Sequence, residues 1–164
     1  MDGTVFLGSL TAQTACFFFQ AEDVIRYRIR GLEFRRVLFR SIALQCACIS
    51  MRQGEYDKAA SALDDISDKE ITEYYRGVLA IYQNDADKAV RLLSDSKDIN
   101  YAIALLNKNQ VKDALKVLQD LDQNDAYVLY TTGVAYGRIN ENAKAREFKA
   151  KAFQLDPSLR YLDN

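Results

Sequence analysis

Beyond Ser41 one phrase is written four times: QGEYDKAASALDDI at residues 53–66, QNDADKAVRLLSDS at 83–96, KNQVKDALKVLQDL at 108–121 and INENAKAREFKAKA at 139–152. In each copy a short polar turn leads to an alanine that opens an apolar stripe at helical spacing. The aligned alanines are Ala59, Ala89, Ala114 and Ala145, at intervals of 30, 25 and 31 residues. A unit of this size cannot bury an apolar face alone and must stack on its neighbours. A second apolar stretch of helical period precedes each turn, over residues 42–52, 71–82, 99–108 and 126–138. The unit is therefore a helix-turn-helix hairpin, and the chain is expected to be all-α.

Composition agrees. One proline and seven glycines in 164 residues are too few for an all-β chain, which turns about every 8 to 12 residues. With 22 basic and 23 acidic residues the net charge is -1, so no broad field exists to hold nucleic acid or an anionic membrane. No apolar run approaches the roughly 18 residues of a membrane span, so no membrane insertion is expected.

The first 41 residues are composed differently. They carry six arginines, no lysine, four acids and six of the eight phenylalanines, whereas residues 42–164 carry six arginines, ten lysines and nineteen acids. Met1-Asp2-Gly3 is not a basic leader, and Ser, Thr and Gln interrupt residues 5–19, so no signal peptide is read. Arg26, Arg28 and Arg30 alternate with Tyr27 and Ile29, which suits a strand or a basic aromatic patch for single-stranded nucleic acid. Glu22, Asp23 and Glu33 offset that charge, and Val24, Arg28 and Leu32 also permit a helix over 21–39. The run FFFQAEDVIRYRIRGLEFRRVLFRS, residues 17–41, resembles the translation of read-through sequencing-adapter DNA. That resemblance implies an artefactual leader, disordered or loosely helical, over 1–41 and a repeat domain over 42–164.

Residues for chemistry are scarce. The chain has no histidine, which removes the commonest general base and the commonest metal ligand. Asp64-Asp65, Asp85 with Asp87, and Asp120 with Asp122 offer paired carboxylates, but all fall at helix ends or turns, where aspartate caps and solvates. Cys46 and Cys48 are two apart on a helix, about 200° around its axis, so they neither bridge nor share a metal. They are expected as small core residues. No phosphate-binding glycine loop occurs, since Gly133 and Gly137 sit four apart inside a helix, and no serine elbow accompanies a base. Neither catalysis nor any cofactor or metal is expected.

The repeating unit resembles the tetratricopeptide repeat. In the last copy Gly133, Tyr136, Ala145, Ala152, Leu155 and Pro157 match that family's pattern; the second keeps Tyr74, Gly77 and Ala89, the first Ala47, Tyr56, Ala59 and Leu63, and the third Ala102, Ala114 and Leu118. The resemblance implies that Gly133 and Ala145 let two helix backbones approach closely, with Tyr136 and Leu155 filling the space on either side. Pro157 would end one helix and suit the first turn of the next. All three intervals fall short of the family's roughly 34 residues, so the first helices of units two and three should be clipped, or their loops cut back. Thr132 stands at a usual leucine, and Lys149 at a usual large apolar residue beside Phe148. The implied architecture is a short, irregular solenoid of helix-turn-helix repeats.

In the resembled family the first helices line a concave groove. The positions facing its ligand match Tyr74, Tyr75, Val78, Tyr82, Tyr127, Tyr130, Thr131, Val134 and Arg138. Rigid aromatic and arginine contacts are what peptide-binding surfaces favour, although the same rings can simply pack between hairpins. Leu44 and Cys48 occupy the places of the lysine and asparagine of the family's chaperone-tail clamp, which disfavours that ligand. The resemblance implies a non-catalytic interaction module or scaffold that binds a protein or peptide segment. The alternative is a structural slice of a longer repeat protein with no groove of its own. The composition and the closing DPSLRYLDN are similar to divergent repeat proteins of the bacterial cell envelope; compartment, whether envelope, periplasm or cytoplasm, and oligomeric state stay open.

Overall fold

The computed structural model describes residues 40–163. The readings of a leader, of a helix over 21–39 and of the Arg26–Arg30 alternation lie outside those residues. By its contacts the chain divides into two units, Met1–Ile42 and Ala43–Asn164, and the second holds the repeats.

Helix α1 covers residues 40–52. It is followed by α2 (Tyr56–Asp64), α3 (Lys69–Tyr82), α4 (Ala86–Leu93), α5 (Ile99–Asn107), α6 (Val111–Asp120), α7 (Ala126–Arg138), α8 (Asn142–Leu155) and a 3-10 helix (Pro157–Leu162). No strand occurs among the described residues. The fold is all-α, and its helices pack in successive pairs: α1/α2, α3/α4, α5/α6 and α7/α8 form hairpins one to four.

One turn chemistry closes every hairpin. Gly54, Asn84, Asn109 and Asn140 hold φ of 77°, 58°, 63° and 64°, the left-handed region that glycine and asparagine enter most readily. The residue after each, Glu55, Asp85, Gln110 or Glu141, donates its N–H to the carbonyl five residues back, at 2.8–3.0 Å. The left-handed residue donates to the carbonyl three back. This is the Schellman arrangement, which satisfies the last carbonyls of the first helix and reverses the chain. The turns recur at the intervals of the alanines because each alanine sits five residues further on.

The start of each following element is marked as regularly. Asp68, Asp98, Asp125 and Asp156 accept hydrogen bonds from the Ile71, Tyr101, Tyr127 and Ser158 N–H groups, capping free donors at α3, α5, α7 and the 3-10 helix. Pro157 occupies the first turn of that 3-10 helix, where its missing N–H costs nothing.

The aligned alanines are buried, at 0% exposure for Ala59, Ala89 and Ala114 and 8% for Ala145. Around each of the first three hairpins the core is closed by a residue of the next first helix. Leu79 of α3 joins Ala47, Met51, Ala59 and Leu63. Ala104 of α5 joins Ala80, Ala89 and Leu93. Val128 and Ala135 of α7 join Ala102, Leu106, Ala114 and Leu118. The fourth cluster is Leu129, Ala152 and Leu159.

Three expectations need correction. Helix α3 is not clipped, with 14 residues; the shortening falls on α4 and α5, of 8 and 9 residues. The polar run SDSKD separates those two, and Lys97 within it takes a φ of 46°. Leu155 does not fill space beside the helix crossing: it is 56% exposed, and Leu159 is the leucine that packs there. Cys46 is exposed and Cys48 half-buried, because Ala47 and Met51, four apart, take the core stripe of α1 and leave their neighbours about 100° to either side.

Candidate binding face

The first helices touch in series, α3 against α5 and α5 against α7, so the helices that carry the tyrosines share one row. Beside α3 a cleft of about 490 Å³ is lined by Glu70, Ile71, Glu73, Tyr74, Tyr75, Leu92, Asp95 and Ser96. The Tyr74 and Tyr75 rings meet edge to face, centroids 5.3 Å apart, an arrangement that the ring quadrupoles favour.

Tyr74 is held at its polar end. Its hydroxyl donates to Asp98 Oδ2 at 2.6 Å and accepts from Asn100 Nδ2 at 2.7 Å, which ties α3 to the start of α5. Burial, and then the Asp98 carboxylate, push the Tyr74 phenol up to about 12. Burial works against the Asp98 charge, but the Tyr74 hydroxyl, the Tyr101 N–H and the Ser96 hydroxyl outweigh it and hold that carboxyl below its usual range. Since the folded state favours the neutral phenol, its contribution is complete below about pH 10, the unfolded value, and is lost as the pH rises towards 12. Tyr74→Phe is accordingly expected to lower stability by about 1 to 2 kcal/mol near neutrality, with the gap from wild type narrowing in urea melts as the pH passes 10. A gap unchanged by pH would mean that the hydroxyl does not hold this pair.

The other expected residues divide among different surroundings. Tyr75 and Val78 pack partly buried against the first hairpin's core, and Val78 also reaches the second. Tyr82, at the end of α3, and Tyr127, at the start of α7, are 43% and 55% exposed. Tyr130 is half-buried; its hydroxyl donates to Asp163 at 3.1 Å, the Lys149 ammonium lies 5.4 Å from its ring centroid, and Phe153 packs alongside. Thr131 is not on the exposed side of α7. It is buried because Val128, Thr131, Thr132 and Ala135, at helical spacing i, i+3, i+4 and i+7, form the stripe that α7 turns inward. The Thr132 hydroxyl donates to the Val128 carbonyl at 2.8 Å, and among the described residues no fully buried side-chain N or O atom lacks a hydrogen-bond partner.

Val134 and Arg138 line a second cleft, of about 670 Å³, with Gly133, Gly137, Asn142, Ala145, Arg146, Lys149 and Asp163. The Arg138 guanidinium donates to the Leu106 carbonyl near the C-terminus of α5, where a cation suits the helix dipole. At Gly133 α7 and α8 approach closely: a Cβ there would lie 3.0 Å from the Ala145 carbonyl oxygen and 2.7 Å from Lys149 Cγ. The small pair expected from the sequence thus meets as glycine against backbone, with the Ala145 side chain turned towards Gly137.

Asp98, Asn100, Asp163 and the acids of the first cleft were not singled out by the sequence reading. Asp98 alone carries a signal, standing one residue before a helical stretch as caps do. Asp163 carries none.

Among the described residues no group of three His, Cys, Asp or Glu could hold a metal ion, and no helix there is long and apolar enough to cross a membrane. No protein-family model matches the chain, and no curated protein matches it.

Proposed function

We propose that residues 42–164 form a tetratricopeptide-type, non-catalytic module that holds a peptide or protein segment of a partner along its row of first helices. The observation that carries this reading is the serial contact of α3, α5 and α7 with Tyr82 and Tyr127 exposed upon it. The Tyr74–Tyr75 cleft adds a pocket wide enough for a side chain. Rings already exposed and stiff give large contact area at little entropic cost. On resemblance alone, residues 17–41 are read as adapter-derived and assigned no part in binding.

The test is capture of a protein partner, followed by titration against variants. Tyr82→Ala and Tyr127→Ala should each weaken binding by about 1 kcal/mol or more, roughly fivefold, without moving the thermal midpoint. Lys116→Ala and Lys151→Ala, exposed on α6 and α8, should change neither. Tyrosine variants that bind as tightly as the wild type would end the groove reading. A second reading, the structural slice of a longer repeat protein, is favoured by the Tyr74 and Tyr130 hydroxyls, both engaged in contacts between helical elements.

A further inference from the structure

Each of the first three hairpins is closed by the next first helix, through Leu79, Ala104 and Ala135. Those residues occupy one register, each two positions beyond the small residue Gly77, Ala102 or Gly133. Against the fourth hairpin lies the 3-10 helix, and its start keeps the same register. Asp156 caps it as Asp125 caps α7, and Leu159, three residues on, is buried as Val128 is. Further along, where Ala135 closes hairpin three, hairpin four has the open cleft floored by Gly133, Val134, Gly137 and Ala145.

The rim of that cleft is basic. Among the described residues neither Arg138 nor Arg146 meets a carboxylate: Arg138 donates to the Leu106 carbonyl and Arg146 Nε to the Asn142 carbonyl. Lys149 is paired with Asp163. We infer that this cleft receives an acidic amphipathic helix of a partner protein, seated as α7 is seated on hairpin three. The residue at its centre is small, of alanine to leucine size, as at the three filled sites, and carboxylates beside it meet the two guanidiniums. Charge complementarity and the thrice-repeated packing define this occupant, and the inference does not rest on the tyrosine face.

The probe is a dye-labelled helical peptide that keeps the inward residues of α7, Val128, Thr131, Thr132 and Ala135, and carries glutamates on the flanking positions; a twin carries lysines there. Fluorescence anisotropy with the full chain should show saturable binding of the glutamate peptide, at least about tenfold tighter than its twin and weakened by salt. Gly137→Leu should abolish it. That variant should fold, because a Cβ at Gly137 comes no nearer than 3.9 Å to Ala145 Cβ, while the leucine fills the cleft; thermal melts check this. Arg146→Glu should narrow the gap between the twins. Equal binding of the two peptides, no binding at millimolar concentration, or binding indifferent to Gly137→Leu would each overturn the proposal. So would a dimer in sedimentation that Gly137→Leu dissolves, since a second copy would then be the occupant.

Discussion

Leu118→Ala should destabilise the repeat region by about 2 to 5 kcal/mol. Leu118 is 1% exposed and is enclosed by Ala102, Leu105, Leu106, Val111, Ala114, Val128 and Ala135, from three helices. Removing three of its carbons forfeits their transfer from water and leaves a void that helices pinned on both sides cannot collapse. Leu155→Ala, on a residue 56% exposed, should shift stability by only about 0.5 kcal/mol. Urea unfolding of both variants decides the matter. Comparable losses would mean that the core of hairpin three has been placed wrongly.

The second large effect is a difference in sign between two glycines one turn apart. Gly133→Ala should cost about 1 to 3 kcal/mol, even though alanine is the better helix former by about 1 kcal/mol. Its methyl would press on the Ala145 carbonyl oxygen and the Lys149 amide nitrogen, at 3.0 and 3.2 Å, and backbone cannot step aside as a side-chain tip can. Gly137→Ala meets nothing closer than 3.9 Å and should instead stabilise by about 0.4 to 1 kcal/mol, through the lost freedom of the unfolded chain. Thermal midpoints of the two variants on either side of the wild type are the expected result. A gain at both positions would show that α7 and α8 do not cross at Gly133.

What the sequence made legible was whatever repeats. The alanines, the polar turns and the first helices recur at matching offsets, and each recurrence checks the others, so hairpin register could be read before any contact was known. Ala59, Ala89 and Ala114 are wholly buried, and the turns all use one left-handed residue. Pairings across helices were not legible. Whether the Tyr74 hydroxyl ends in water or on Asp98, 24 residues away, depends on how far α5 slides along α3, and no local pattern encodes that offset. Thr131 was misplaced for a related reason. The buried stripe of α7 includes two threonines, of which Thr132 satisfies itself on the Val128 carbonyl, so a polar residue was read as outward-facing when the helix had turned it in.

The way these helices touch also shapes how the chain finds its fold. Apart from α3 with α5 and α5 with α7, the substantial contacts join elements adjacent in the chain, so each partner is met within a few tens of residues. Little loop entropy opposes any single docking step, and topologies of low contact order fold quickly. A nucleus formed in any hairpin can be extended by its neighbour in either direction, and a defect in one leaves the others a template on which to begin again.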